Sequence, residues 1–385
     1  MLRIGWYEEG DKMNIAIVPW SKEALGNQMF RQKLCKNHPH DNNVQWLENY
    51  NYVRRWFKER GHRYETIDRY KDWDEIDYIL IYAGRIHKRY VSEFLRRGYE
   101  NKLIYIAIEP EIGYKEHRKE KMPKLLRYYK YIITWNKEIA DEGRIFQFNL
   151  HYVLSMPSKN VPFSERKLLT AIYSAHGSGY GEKELYTERN KIFRCYEKYE
   201  GQFDLYGKGW DGFRNYRGIA GNKTDIYCDY RFAIALENMK DRKGYVTEKI
   251  YDCICNGIVP IYYGASDIKE YVPADVFIDY SRFKKPDELW EFLSDMPEDI
   301  WLAYLEAARR YLESDRVRLI DPKQYCEKLE QLMRTDPEMD IHCRKIDKIL
   351  FSLNIAGHEI LIKLWMKIKK NKLTHNIWYK IKKIF

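Results

Sequence analysis

Uninterrupted apolar runs alternate with helix-like spacing along the chain, and the clearest example lies within residues 230–279. Residues 232–236 contain no polar side chain, which is typical of a strand covered on both faces in a parallel sheet. Val246, Ile250 and Ile254 then recur at every fourth position and predict one apolar face of a helix of about ten residues. A buried strand followed by a helix is the beginning of a βαβ unit.

This predicted helix has recognisable ends and leads into a second buried strand. Thr247 precedes it as an expected N-cap, and Gly257 is expected to end it. The apolar run 258–263 predicts the next strand, which ends at Gly264, where the missing side chain lets the backbone approach a ligand. The order strand, helix, strand makes the fold class α/β.

Similar alternation elsewhere predicts two α/β domains and a tail. Residues 43–60 have the aromatic and apolar spacing of a helix, and residues 156–166 gather prolines and polar side chains, as a linker does. We expect a first domain over 1–156, a second over 165–345 and a helical tail over 346–385. Further strands are predicted at 14–18, 78–82, 103–108, 131–134, 145–148, 168–174 and 203–206.

The net charge of +10 is concentrated in the tail. Residues 361–385 hold eight lysines and no acidic residue, so the charge distribution argues against a nucleic-acid partner. Leu361, Leu364 and Trp365 share one helical face with lysines around it, a pattern that suits an anionic membrane surface. The alternative is a C-terminal helix that docks on the body and leaves its lysines in solvent.

Other composition features indicate the compartment. No apolar run approaches twenty residues, and the start of the chain, MLRIGWYEEGDK, lacks the apolar core of a secretory signal. The seven cysteines form no Cys-x-x-Cys pair, so no zinc framework or disulfide scaffold is indicated. We expect a cytoplasmic protein that lies peripherally on the inner face of the cytoplasmic membrane.

Three charged side chains lie where the predicted βαβ unit opens. Glu237 ends the first strand, and Glu248 and Lys249 begin the helix. Ligands of open α/β sheets lie outside the carboxyl ends of the strands, and a helix start there attracts phosphate. An exposed Glu-Lys pair on an ordinary surface helix has the same spacing, so spacing alone does not decide between the two.

The whole segment resembles the donor-binding signature of glycosyltransferase family 10, the α1,3/1,4-fucosyltransferases. Tyr263 departs from that signature, which usually has Trp there. The layout without a membrane anchor is similar to bacterial members. The residues that carry the resemblance are Glu237, Asn238, Gly244, Tyr245, Val246, Thr247, Glu248, Lys249, Val259, Pro260, Tyr262, Gly264 and Ala265.

The resemblance implies a GT-B fold, in which two Rossmann-like domains face each other and the active site lies in the cleft between them. The first domain would bind the acceptor and the second the nucleotide sugar, with Glu248 taking part in catalysis. Residues expected to bind the donor are Arg189, Glu237, Asn238, Tyr245, Val246, Thr247, Lys249 and Gly264.

Two further residues gain a role from the resemblance. Glu109, at the end of the predicted strand 103–108, matches the catalytic carboxylate that takes the proton from the acceptor, and Pro110 stiffens its turn. Glu111 is an unusual second carboxylate nearby. Arg189 matches a phosphate-contacting arginine, since a guanidinium can bridge two phosphate oxygens. For both residues the alternative is a solvated surface side chain.

The function expected from the resemblance is inverting transfer of L-fucose from GDP-β-L-fucose to a hydroxyl of a glycan, in α1,3 or α1,4 linkage. The setting would be surface polysaccharide or lipopolysaccharide O-antigen synthesis. A related enzyme that uses another GDP-sugar, and a non-catalytic glycan- or membrane-binding protein on the same fold, are the alternatives. The expected acceptor is a sugar of GlcNAc or Glc type on an oligosaccharide or a lipid-linked glycan. Its exact identity is not predicted, because residues 1–100 contain no motif that we can place.

A metal cofactor is not expected. Asp72-Trp73-Asp74 has the Asp-x-Asp form of many sugar-nucleotide enzymes, but it precedes the strand 78–82 and is interpreted as a turn. Arginine and lysine are expected to balance the charge of the diphosphate instead.

Overall fold

The computed structural model describes residues 12–352 except 32–43, 85, 142, 155–156, 158, 178, 337–342 and 350. The predicted tail beyond residue 352, including 361–385, lies outside the described residues. None of the helices in the described part of the chain has the length and hydropathy that a membrane crossing requires.

The first half of the chain forms a six-stranded parallel sheet with the order β2-β1-β3-β4-β5-β6. Its strands and helices are β1 (Asn14–Val18), α1 (Val44–Glu59), β2 (Arg63–Thr66), β3 (Tyr78–Tyr82), α2 (His87–Arg97), β4 (Leu103–Ala107), β5 (Tyr131–Thr134) and β6 (Ile145–Gln147). Short 3-10 helices lie at Lys22–Ala24, Gln28–Phe30, Ile67–Arg69, Glu100–Lys102, Lys115–His117 and Met122–Arg127.

The second half forms a five-stranded parallel sheet with the order β11-β10-β9-β7-β8. Its elements are β7 (Lys167–Ile172), α3 (Tyr186–Tyr196), β8 (Phe203–Tyr206), α4 (Lys223–Tyr227), β9 (Tyr230–Leu236), α5 (Glu248–Cys255), β10 (Val259–Tyr263), α6 (Ile268–Tyr271), β11 (Ile278–Asp279), α7 (Pro286–Ser294) and α8 (Glu298–Leu312), followed by α9 (Pro322–Arg334). Short 3-10 helices lie at Phe163–Glu165, Tyr280–Arg282 and Asp315–Ile320.

Both sheets are covered on two faces, which explains their apolar strands. In the first sheet, Ile15 and Leu80 face a core that includes α1, and Ile79 and Ile81 face the side of α2. In the second sheet, alternate residues of β9 likewise belong to separate apolar clusters. The apolar runs therefore identified these strands correctly, with ends that agree to within two residues.

Helix α9 connects the two domains. α9 falls within the range 165–345 predicted for the second domain, yet Tyr325, Cys326, Leu329 and Met333 pack into the core of the first sheet. The chain thus crosses back to its first domain after α8, and a range drawn along the sequence does not separate the two cores.

In both sheets the first strand lies between the second and the third, an order that places a crevice at the carboxyl ends beside the first strand. In the second sheet this crevice lies between β7 and β9. Glu237 and Asn238, which follow β9, therefore lie where a ligand of such a sheet is bound.

Candidate active site

The register of two neighbouring strands brings Glu237 and Gly264 together. Leu236 pairs with Tyr263 in the last row of β9 and β10, so the next residue of each strand lies side by side. A methyl group at Gly264 would come within 2.4 Å of Cγ of Glu237. We expected Gly264 to admit a ligand; instead, its missing side chain makes room for the side chain of Glu237.

Glu237 is buried and organises the start of α5. The backbone N–H of Thr247 donates to Oε1 over 2.8 Å, and the Thr247 hydroxyl donates to Oε2 over 2.7 Å. Thr247 is the N-cap residue, as predicted, but its side chain caps no helical N–H and binds Glu237 instead. Because the Glu237 carboxylate has no access to solvent, it supports the site from behind and does not line the cleft.

Lys249 is held between two carboxylates. Its Nζ lies 3.2 Å from Oε2 of Glu237 and 3.7 Å from Oε1 of Glu248. Burial alone would lower the pKa of Lys249, but the two carboxylates raise it above its ordinary value. Lys249 therefore carries a fixed positive charge in the first turn of α5.

The two glutamates beside Lys249 have opposite pKa shifts. Burial raises the pKa of Glu237, and the positive charge of Lys249 only partly opposes this shift. Burial would also raise the pKa of Glu248, but the charges of Lys249 and Lys223 lower it overall. Glu248, which is about one-third exposed, is the carboxylate that stays ionised at the cleft surface.

Arg189 is a buried cation that pairs with no carboxylate of the described residues. It is 4% exposed, and its Nη2 donates to Oδ1 of Asn238 over 3.0 Å. The rings of Tyr173 and Tyr186 lie 4.4 and 4.6 Å from its guanidinium carbon. These partners are neutral, so the charge of Arg189 is not balanced locally, and the solvated surface arginine considered above is excluded.

Tyr245 and Val246 are both buried and pack against other side chains. The Tyr245 ring packs on Trp135 of the first domain, with 4.7 Å between ring centroids, while Asn238 Nδ2 lies 3.4 Å from its hydroxyl. Val246 is buried in an apolar cluster with Tyr152 and Ile250. Val246, expected to bind the donor, therefore belongs to the core of the second domain.

Glu109 reaches the cleft from the first domain. It follows β4, beside Trp135, because Ala107 pairs with Thr134 at the ends of β4 and β5. The side chain is accessible to solvent through the cleft, yet the surrounding protein removes part of its hydration and raises its pKa. Lys249 opposes this shift and Glu248 adds to it, so charges of the two domains interact across the cleft.

His117 holds the backbone of Glu109 from behind, which the sequence did not reveal. Its Nδ1 donates to the backbone carbonyl of Glu109 over 2.6 Å, and its Nε2 lies 2.9 Å from the hydroxyl of Tyr105. Burial is the main reason that the pKa of His117 is lowered. A neutral imidazole can donate to the carbonyl and accept from Tyr105 at the same time.

A second supporting group lies behind Glu248. Lys223 Nζ lies 2.5 Å from Oδ2 of Asp252, and the hydroxyl of Tyr152 donates to Oδ1 of the same residue over 2.6 Å. Asp252 lies one helical turn after Glu248 on α5. The four-residue spacing between Glu248 and Asp252 could have placed Asp252 on the same helix face from the sequence. Its partners Lys223 and Tyr152 come from distant segments and could not be found in this way.

A cavity of about 250 Å³ joins these groups. Of the predicted site residues, those that line it are Glu109, Asn238, Tyr245, Thr247, Glu248 and Lys249; those that do not are Arg189, Glu237, Val246 and Gly264. Arg189 lines a much smaller neighbouring space of about 10 Å³. Aromatic side chains of the first domain, among them Tyr50, Tyr82 and Trp135, form the opposite wall of the large cavity.

The Asp-x-Asp segment lies in a turn. Oδ1 of Asp72 accepts from the backbone N–H of Asp74 over 2.9 Å, and Asp74 also bonds with Tyr99. Within the described residues, no group of three or more His, Cys, Asp or Glu side chains is arranged to hold a metal ion.

Comparison with known proteins finds a family similarity in the second domain. Residues 172–348 match the family model described as glycosyltransferase family 10 (fucosyltransferase) C-term. The match covers just under half of the chain, and it supports the resemblance of the donor segment to family 10.

Among curated proteins, the chain is similar to an Arabidopsis thaliana alpha-(1,4)-fucosyltransferase, with 39% identity over 70 residues, which are 18% of this chain and 17% of that protein. It is also similar to the Mus musculus 4-galactosyl-N-acetylglucosaminide 3-alpha-L-fucosyltransferase 9, with 27% identity over 40% of this chain and 38% of that protein. The chain thus spans well under half the length of these relatives.

Among solved structures, an α1,3-fucosyltransferase with GDP matches with a TM-score of 0.51 and 14% identity, covering 88% of this chain and 94% of that chain. An α-glucosyltransferase in complex with UDP and a 13-mer DNA matches with a TM-score of 0.51 and 10% identity, covering 85% and 100%. At these identities the likeness shows the fold alone, and it confirms the predicted GT-B arrangement of two facing α/β domains.

Proposed function

We propose that this protein is an inverting fucosyltransferase that transfers L-fucose from GDP-β-L-fucose to a hydroxyl of a glycan acceptor. One observation carries the proposal: Glu109 of the first domain and the start of α5 in the second line the same cavity. A potential base and a potential anion site therefore face each other across a space that can hold a sugar.

The acceptor side requires a base. The acceptor oxygen attacks the anomeric carbon of fucose, Glu109 takes the hydroxyl proton, and the bond from that carbon to the diphosphate breaks. Attack opposite the leaving group converts the β-linked donor into an α-fucoside. A raised pKa makes Glu109 a stronger base than an ordinary glutamate, provided that the pH keeps it ionised.

The leaving diphosphate requires positive charge. Lys249 and the helix start are available at the cavity wall, and Arg189 lies close enough that its charge partly opposes the rise in the pKa of Lys249. Two cations that repel each other in this way attract an anion placed between them. Preorganised charge of this kind contributes several kcal/mol to such a step.

The sugar itself develops positive charge as the bond to the diphosphate breaks. Glu248 is the carboxylate at the cavity wall whose pKa is lowered, so it is ionised and can stabilise that charge. Its supporting cations, Lys249 and Lys223, keep it ionised. Glu237 acts indirectly, since it holds Lys249 and Thr247 in place.

We propose that the acceptor is a sugar of GlcNAc or Glc type and that fucose is attached to it in α1,3 or α1,4 linkage. We propose that this reaction belongs to surface polysaccharide or lipopolysaccharide O-antigen synthesis. The names of the relatives include both linkages, and the aromatic wall of the cavity offers faces on which sugars stack. Another GDP-sugar as donor is the second candidate, because the cavity alone does not distinguish one 6-deoxyhexose from a near isostere.

The proposal is tested by a thermal-shift panel with GDP, GDP-fucose, GDP-mannose and UDP-glucose. A ligand that binds only the native state raises the unfolding midpoint by mass action. GDP-fucose should give the largest shift, and Glu109→Gln should keep that shift while it abolishes transfer. A shift with UDP-glucose but not with GDP or GDP-fucose would overturn the proposal; substantial turnover by Glu109→Gln would remove Glu109 as the base.

We also propose that the chain works in the cytoplasm, bound peripherally to the inner face of the cytoplasmic membrane through residues 361–385. The eight lysines and the absence of acidic residues in this segment support the proposal. The full chain should sediment with vesicles that contain phosphatidylglycerol, and a chain that ends at residue 360 should not. Equal sedimentation of both chains would contradict it.

A further inference from the structure

We propose that the ion pair between Glu111 and Arg242 positions Glu109 against the donor site, an inference that rests on the function proposed above. Nε of Arg242 donates to Oε1 of Glu111 over 2.7 Å, and Nη2 donates to the same oxygen. Glu111 follows β4 of the first domain and Arg242 follows β9 of the second. The pair therefore ties the loop of the base to the loop that leads into α5.

On the first-domain side, Glu111 is connected rigidly to Glu109. Pro110 lies between them and fixes one backbone angle. The carbonyl of Pro110 accepts hydrogen bonds from the N–H groups of Gly113 and Tyr114 over 3.0 and 3.2 Å, which closes a tight turn. His117 holds the carbonyl of Glu109. A displacement of Glu111 is thus transmitted to the base.

On the second-domain side, Arg242 lies in a loop fixed to the donor site. The N–H of Asp241 donates to the carbonyl of Gly264 over 2.9 Å. The N–H of Gly244 donates to Oδ1 of Asp267 over 2.9 Å. The same loop continues to Thr247, which is bound to Glu237. These hydrogen bonds fix the position of Arg242 relative to the donor site. The ion pair therefore holds Glu111 at a fixed position relative to the same site.

The burial of the pair favours a positioning role over an ordinary surface contact. The side chains of Arg242 and Glu111 are 23% and 13% exposed. At the same domain interface, Lys137 pairs with Glu270, which is 66% exposed. A solvated pair such as the second one is easily exchanged for water, whereas two hydrogen bonds to one sheltered oxygen fix a geometry.

Accurate placement of the base matters for the rate. A misplacement of about 1 Å between reacting groups can lower a rate about 100-fold. Loss of the pair should therefore act on kcat, because Glu109 would be misplaced, and should leave the donor contacts at Lys249 unchanged. A lower kcat with unchanged donor affinity would distinguish a positioning role of the pair from direct binding of the donor by Arg242.

The experiment is a double-mutant cycle with Glu111→Ala, Arg242→Ala and the combined variant. GDP affinity is measured by calorimetry, and kcat and KM are measured with GDP-fucose and N-acetyllactosamine. Backbone hydrogen exchange of residues 109–117 reports the position of the loop without any need for turnover. Glu270→Gln is the matched control at the same interface, and it should behave like the wild type.

Each single variant should lower kcat by roughly 10- to 100-fold, change GDP affinity less than about threefold, and speed exchange in residues 109–117. The double variant should be no worse than either single variant, because both remove the same interaction. Additive losses, unchanged exchange, or weaker GDP binding in Arg242→Ala alone would overturn the positioning role. A wild-type chain that binds no GDP would refute the proposed function. The hydrogen-exchange data would still show whether the Glu111–Arg242 pair fixes the loop of residues 109–117.

Discussion

Replacing Gly264 by alanine would insert one methyl group into the support of the proposed anion site. The new carbon would lie 2.4 Å from Cγ of Glu237 and 2.7 Å from the hydroxyl of Tyr262. Gly264 is not among the residues with positive φ, so the alanine backbone itself is unstrained. The effect of the substitution is therefore purely steric, and it falls on Glu237.

The clash has a predictable energetic scale. Overpacking a close-packed interior costs about 1–3 kcal/mol. Relief requires the Glu237 side chain to swing away from the N–H and hydroxyl of Thr247 and from Lys249, which bind it now. Since hydrogen bonds to a buried charge would be weakened as well, we expect a loss of unfolding free energy of about 3 kcal/mol.

The same displacement should weaken anion binding. Lys249 would lose the carboxylate that fixes its ammonium group 3.2 Å away. One charge-assisted hydrogen bond contributes about 1.5–3 kcal/mol, and every 1.4 kcal/mol is tenfold in affinity. If Lys249 binds the diphosphate, GDP affinity should therefore fall roughly 10- to 100-fold.

Urea unfolding and calorimetric titration with GDP measure both effects. Gly221→Ala is the control, because a methyl group there meets no atom within 4 Å and its φ is not positive. If Gly264→Ala were as stable as this control, the steric reasoning would be refuted. If it lost stability but kept wild-type GDP affinity, the link from Glu237 through Lys249 to the ligand would be refuted.

Four further predictions concern neighbouring features. Gly244→Ala should destabilise the protein by roughly 1–3 kcal/mol in urea, because φ is +85° and the new methyl group would lie 2.3 Å from the Trp135 carbonyl. Lys223→Met should cost about 3 kcal/mol in the same assay, because it leaves Asp252 buried without its cation. With increasing pH, kcat/KM should rise around a pKa above the ordinary glutamate value of 4.5, because Glu109 must lose its proton to act as base and its pKa is raised. A rise centred at or below 4.5 would contradict this prediction. Excess EDTA should leave fucosyl transfer unchanged, because side-chain cations are proposed to balance the diphosphate, and a loss restored by Mg²⁺ would contradict it.

The strands that lie inside the sheets could be predicted because burial on both faces excludes polar residues. β3, for example, reads YILIY and is buried throughout. The edge strand β2 was missed for the same reason, since RYET alternates exposed and buried positions over only four residues. The return of α9 to the first core was also missed, because an amphipathic helix does not state which sheet covers its apolar face.

The residues of the site could be predicted from the sequence, but the directions in which their side chains point could not. A glutamate that ends a buried strand was interpreted as facing a ligand, whereas Glu237 turns inward over Gly264. That outcome depends on the register in which β9 pairs with β10, which the apolar pattern of the two strands does not fix. His117 and Lys223 come from outside the donor segment, so only the fold shows that they support the site.

The distribution of partners among the cations predicts which of them would attract the proposed diphosphate most strongly. Lys249 already pairs with Glu237 and Glu248, and Lys223 pairs with Asp252, so their charges are largely balanced. Arg189 is buried among neutral groups and pairs with no carboxylate of the described residues. A buried charge without a counterion is costly, and an arriving anion removes that cost. We therefore expect that exchanging the bond to the neutral Asn238 for a bond to phosphate would stabilise the complex more than any exchange at Lys249. The direct contact of Arg189 with phosphate stays a prediction, and its physical basis is this unbalanced charge.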